Sequence, residues 1–190
     1  QVKGFKKDLA LKKFKQEKKE AFKELLYESW FYIIIPPHPS IVSFEAIIQE
    51  GLLFELGQGD LYNRLKRHDY DTNMICHDFL QIAAALEHVH QSGFNYKDLK
   101  PSNILFFSNG HIKLCDLGFL ELTSEDTQRK VCPFFAAPEY ELSKQELITP
   151  KADVWSFGVC LFHALTMGKH PFLPHLSDDP AYLHHIIALL

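Results

Sequence analysis

A chain of 190 residues that is 46% apolar and 13% aromatic can build one domain or two small lobes around a real core, which excludes a disordered segment. A formal net charge of −4 gives no reason to expect nucleic acid as a partner, and no apolar run reaches membrane-spanning length. Cys76, Cys115, Cys132 and Cys160 lack C-x-x-C spacing, so free thiols in a reducing compartment are expected, the cytoplasm or the nucleus.

The lysine-rich start lacks the apolar stretch of a signal peptide and reads as a solvated face. Leu9-Ala10-Leu11, followed by Lys12, predicts a short strand. From Glu17 to Ile35 the pattern predicts a helix with Phe22, Leu25, Leu26, Ser29 and Tyr32–Ile33 on one face, ended by Pro36-Pro37. Ile41–Ile48 and Leu52–Leu56 predict a hairpin around Gln49-Glu50-Gly51. Gly57 and Gly59 mark a flexible connector, which puts a lobe boundary at 57–60 between lobes 1–56 and 61–190. Asp60 is a capping residue for a short helix starting at Leu61. Cys76 to His90 is amphipathic, with Phe79, Ile82, Ala83, Leu86 and Val89 inward, and ends at Gly93. Ile104–Phe107 and Ile112–Leu114 flank Asn109-Gly110, a two-residue hairpin signal that brings Asn103 near Asp116. Asp153 to Thr166 is almost entirely apolar and predicts a buried helix.

The chemistry concentrates in Tyr96-Lys97-Asp98-Leu99-Lys100-Pro101-Ser102-Asn103 and Asp116-Leu117-Gly118. A carboxylate to orient a hydroxyl, a nearby ammonium, and amide and carboxylate oxygens for Mg²⁺ are what phosphoryl transfer requires. This pattern resembles the catalytic core of eukaryotic-type protein kinases of the serine/threonine type. The resemblance extends through His38-Pro39-Ser40-Ile41-Val42, Ala137-Pro138-Glu139 and Asp153-Val154-Trp155-Ser156-Phe157-Gly158.

The resemblance implies an α+β, two-lobed fold, with a β-rich first lobe holding one long helix and a mainly helical second lobe. It implies ATP and Mg²⁺, a protein substrate and regulatory protein partners. Asp98 would accept or orient the substrate hydroxyl proton, and Lys100 would stabilise the moving phosphate. Asn103 and Asp116 would hold the metal. Lys12 would pair with nucleotide phosphates and with a helix glutamate, Glu28 or, one turn earlier, Glu24. Ala10 and Leu105 would sandwich the adenine. Phe54-Glu55-Leu56 would be the hinge, with Phe54 behind the nucleotide. Asp153 would accept catalytic-loop N–H groups, while Tyr96, Leu117 and Tyr32 would stack in an apolar spine. Glu139 would pair with an arginine of a later helix.

Four departures stand out. Tyr96-Lys97-Asp98 replaces His-Arg-Asp, which keeps a cation for an activation-segment phosphate but loses the bidentate fork. Leucine fills the middle of Asp116-Leu117-Gly118. Cys132 stands where a threonine usually bridges the catalytic aspartate and lysine, and a thiol is a weaker donor. No glycine-rich loop precedes Lys12, Gly4 being the only glycine there, so a chain truncated at both ends is expected. One of Thr123, Ser124 and Thr127 is expected to be a regulatory phosphorylation site, with Thr127 favoured by its neighbours Arg129 and Lys130. Cys115, beside the metal-side aspartate, is either an electrophile target or an inert buried thiol. The alternative reading is a pseudokinase that binds nucleotide or scaffolds partners. A small-molecule phosphotransferase would share the aspartate–asparagine–aspartate core but not the Ala137-Pro138-Glu139 segment.

Overall fold

The computed structural model describes residues 8–13, 19–67, 70–123, 132–142 and 149–172. Its first strands are β1 (Leu9–Lys13), β2 (Phe44–Ile48) and β3 (Gly51–Glu55), joined antiparallel in the order β1-β3-β2. Gly51 is obligatory where β3 meets β1. Its φ is +154°, and a Cβ there would lie 2.0 Å from the Lys12 carbonyl oxygen. The expected hairpin forms, but its first strand starts at Phe44 instead of Ile41. Residues 40–42 bond the second lobe instead: Leu114 N–H donates to the Ser40 carbonyl (2.9 Å) and Val42 N–H to the Leu114 carbonyl (2.9 Å).

Helix α1 (Lys19–Ile34) lies between β1 and β2 in sequence. Leu25, Glu28, Ser29 and Phe31 face inward, as does Ile35 just past its end, whereas Leu26 and Ile33 are exposed. The buried face is therefore rotated from the expected one, because Glu28 must reach Lys12 and the turns that share its side follow it. The side chain of Phe22 lies outside the described residues, as do Glu17 and Gly4.

The second lobe runs β4 (Gly59–Asp60), α2 (Leu61–Leu65), α3 (Thr72–Gln91), β5 (Phe94–Asn95), β6 (Ile104–Phe106), β7 (Ile112–Leu114), β8 (Glu121–Leu122), α4 (Glu139–Leu142) and α5 (Lys151–Leu165). The connector is tied down: Gln58 N–H donates to the Phe106 carbonyl (2.7 Å) and β4 pairs with β6. Asp60 caps α2 as expected, accepting from Asn63 N–H at 2.7 Å. Helix α3 starts four residues before the predicted Cys76, because Asp71 accepts from Met74 N–H (2.9 Å) and caps an extra turn. Ala85 and Ile75 are buried on it, whereas the predicted Ala83 is exposed.

Five residues separate β6 from β7, and the Phe107 N–H bond to the His111 carbonyl (2.9 Å) leaves a three-residue loop where two were expected. Gly110 N–H bonds the Phe107 carbonyl (3.1 Å), and Gly110 takes φ +79°. Helix α5 is buried on one face only. Ala152, Asp153, Ser156, Val159, Cys160, His163 and Ala164 turn inward, and Val154, Phe162 and Leu165 are exposed. The core joins Ile75, Phe79, Ile82, Leu86 and Val89 of α3 to Ile104, Ile112 and Leu114. Each such side chain contributes about 1.5–3 kcal/mol by burial. Phe31 meets Phe94 edge-on at 5.4 Å and joins α1 to this core. Among the described residues no helix is long and apolar enough to cross a membrane.

Candidate active site

The loop bearing Asp98 is fixed from below by one buried carboxylate. Asp153, 1% exposed at the start of α5, accepts N–H bonds from Tyr96 and Lys97, each at 2.7 Å. His90 of α3 bonds the same carboxylate at 2.8 Å. Sequence reasoning anticipated Asp153 in this place but not His90, whose partner lies 63 residues away. These bonds hold Lys97 at φ +68°, an uncommon backbone state for a residue with a side chain.

Asp98 is buried, and its two oxygens differ. Oδ2 accepts from Lys100 Nζ (2.7 Å) and Asn103 Nδ2 (2.8 Å), whereas Oδ1 has no hydrogen-bond partner among the described residues. Asn103 Nδ2 also bonds the Asp98 carbonyl at 2.9 Å. Burial pushes the Asp98 carboxyl above its ordinary value, against the pull of Lys100 and Asn103.

Asp116 reaches the same place through the hairpin. Cys115 N–H donates to the Asn103 carbonyl at 3.0 Å, so the expected proximity of Asn103 and Asp116 is made through the backbone. Asp116 takes a left-handed conformation, φ +59°. Lys12 Nζ lies 2.6 Å from Glu28 Oε2 and 3.0 Å from Asp116 Oδ1. Glu28 is thus the glutamate that meets Lys12; the side chain of Glu24 lies outside the described residues. Burial alone would lower the Lys12 ammonium, but the two carboxylates outweigh it and hold it above its usual range. Gly118 lets the pieces close up: a Cβ on it would lie 3.3 Å from Asp116 Oδ1 and 3.6 Å from Glu28 Oε2.

Beside this polar knot lies an apolar cluster drawn from both lobes. Ala10 and Leu105 pack in one cluster with Phe54, which is opposite Ala10 in the sheet register. Glu55 ties its neighbours together, accepting from Ser43 N–H (2.7 Å) and Lys113 Nζ (2.6 Å). Leu56 is exposed. Tyr96 and Leu117 are fully buried, Tyr32 packs against their cluster, and its ring also meets Phe54 at 5.0 Å. The Tyr96 hydroxyl donates to the Cys115 carbonyl.

Burial pushes the Cys115 thiol up to about 12, which disfavours the reactive thiolate. Cys132 is half-buried and within electrostatic reach of Lys100 and Asp98. Lys97 meets a carboxylate that the sequence did not point to, that of Glu121. Ser124, Thr127, Arg129 and Lys130 lie outside the described residues. Thr123 N–H bonds the Gly93 carbonyl at 3.0 Å.

A family model described as protein kinase domain matches residues 2–188. The chain is similar to ribosomal protein S6 kinase alpha-3 of Mus musculus, with 41% identity over 144 residues, 71% of this chain and 19% of the relative. Over matches of the same extent it is 40% identical to ribosomal protein S6 kinase alpha-6 of Homo sapiens and 38% identical to ribosomal protein S6 kinase alpha-1 of Rattus norvegicus. The chain spans 19% of the length of these curated relatives.

Proposed function

The chain belongs to the protein kinase family, and from that premise we propose that it transfers the γ-phosphoryl group of ATP to a serine or threonine hydroxyl of a protein substrate. The observation that carries this reading is the division of labour within Asp98. One oxygen is held by Lys100 and Asn103, and the other is left without a partner among the described residues. That oxygen is buried in this state; once a substrate hydroxyl reaches it, it accepts the proton, and the raised carboxyl makes it a better base than a solvated aspartate.

The donor set fits a magnesium nucleotide. Asn103 engages Asp98 through its amide nitrogen, which leaves its carbonyl oxygen for a metal. Asp116 bonds Lys12 through one oxygen and keeps a second, so two hard oxygen donors remain. Mg²⁺–ATP, when bound, supplies the phosphoryl group and a divalent charge that offsets charge on the phosphates. Lys12, kept charged by Glu28 and Asp116, orients the phosphates. Lys100, beside Asp98, offsets charge on the transferred group. Ala10, Phe54 and Leu105 supply an apolar slot for the base.

The test is ATP turnover and autophosphorylation with Mg²⁺ by the full-length protein beside its Asp116→Asn variant. Transfer that disappears in the variant supports the reading. Equal, negligible transfer in both proteins refutes it and favours a pseudokinase.

A further inference from the structure

We propose that Glu121 is a positioning residue for phosphoryl transfer: its buried ion pair with Lys97 fastens the segment after Asp116 to the catalytic loop, so that this anchorage requires no phosphorylated side chain. The inference rests on the kinase reading above and adds to it how the site is held in its working shape.

The Lys97 ammonium and the Glu121 carboxylate meet with side chains that are each 2% exposed. They come from facing strands and adjoining loop. In the β5–β8 pair Glu121 lies opposite Asn95, two residues before Lys97, and Thr123 N–H extends the contact to the Gly93 carbonyl. A third element closes the pocket: the Tyr140 ring of α4 lies 5.7 Å from Lys97 Nζ. One ammonium thus gathers the catalytic loop, the start of the segment after Asp116, and the helix that follows its end.

The chain invests backbone strain in this arrangement. Lys97 is held at φ +68° by its N–H bond to Asp153, and a single peptide unit joins it to the base Asp98. A lone buried ammonium is costly, and so is a lone buried carboxylate, so neither partner is free to leave. A phosphate on a neighbouring hydroxyl could reach Lys97 only by displacing Glu121, and its own charge would repel that carboxylate. The expected role of Lys97 as a phosphate receptor is therefore replaced by a permanent internal one.

The experiment uses the full-length protein, wild type and Glu121→Ala, each with and without phosphatase treatment, with Asp116→Asn as the inactive control. Wild-type turnover is expected to survive dephosphorylation. Glu121→Ala is expected to lower kcat on the order of 10²-fold, the usual cost of a misplaced catalytic group. Its KM for ATP should stay unchanged, because Lys12, Glu28 and Asp116 form a separate set. Added formate should restore part of kcat by occupying the vacated space beside Lys97, a response that a residue of purely structural value would not give. Loss of wild-type activity on dephosphorylation overturns the proposal, as does wild-type kcat in Glu121→Ala or a fall that formate leaves untouched. Glu121→Gln, which keeps the shape, serves if Glu121→Ala does not fold. If wild type and Asp116→Asn are equally inactive, the kinase reading fails, and the clamp is judged by hydrogen exchange: lost protection at the Thr123 amide in the Glu121 variant sustains it, and unchanged protection overturns it.

Discussion

Lys12 and Lys97 each meet a carboxylate from another part of the chain, yet the Lys12 side chain is 39% exposed and that of Lys97 is 2% exposed. Water reaches the first, which divides its charge between Glu28 and Asp116 and is free to turn toward a third anion. The second is sealed with a single carboxylate beneath the loop it supports. Solvent screens Lys12 and Asp116, although Glu28 is itself buried, whereas breaking the fully buried pair of Lys97 strands a charge with no water beside it. The same two residue types thus leave a cation open to a further anion in one place and seal it into the architecture in the other.

The largest expected effect comes from breaking the sealed pair. Lys97→Met should destabilise the fold by about 3–5 kcal/mol in urea denaturation, and Lys97→Met combined with Glu121→Leu should recover most of that. Equal losses in the single and double variants would show that the pair is not the source. Lys12→Met should act mainly on chemistry: phosphoryl transfer falls about 10²–10³-fold, while stability falls less than in Lys97→Met, because Lys12 and Asp116 are both reached by water even though Glu28 is left buried. A denaturation shift as large as that of Lys97→Met would erase the distinction. Gly118→Ala probes the exposed set more gently, by pressing a methyl toward Asp116 and Glu28. It should lower kcat/KM about tenfold, equivalent to about 1.4 kcal/mol, without weakening the Lys97 pair.

The smallest effect is a displacement of the pH profile. Asp98 must be ionised to accept a proton, and burial raises its carboxyl, so activity should fall as pH drops through a value above that of an ordinary aspartate. Lys100 pulls that carboxyl down. Lys100→Met should therefore move the acid limb of kcat/KM to higher pH. An acid limb that stays in place would mean that Asp98 is not the titrating base.

The polar site was legible because its members sit in short loops with fixed spacing: Asp98, Lys100 and Asn103 within six residues, and Asp116 at the foot of a hairpin. The face of α1 was not. Apolar residues surround that helix, and only the reach of Glu28 to Lys12 decides that Phe31 and Ile35 go inward while Ile33 stays out. Similarly, nothing in periodicity distinguishes the exposed Val154 and Phe162 from the buried Val159 on α5. Glu121 was invisible for another reason. Its partner is set by the pairing of two-residue strands, β5 with β8, too short to leave a pattern. The third loop residue of the β6–β7 hairpin was likewise hidden behind an Asn-Gly pair that suits two loop geometries.

The placement of Asp153 has a consequence for how the protein is made. The carboxylate that fixes Tyr96 and Lys97 is synthesised 57 and 56 residues after them. A chain still being translated therefore holds every candidate site residue from Lys12 to Asp116 while the loop of Asp98 lacks its anchor. Only when α5 has left the ribosome can that loop make its two N–H bonds to Asp153.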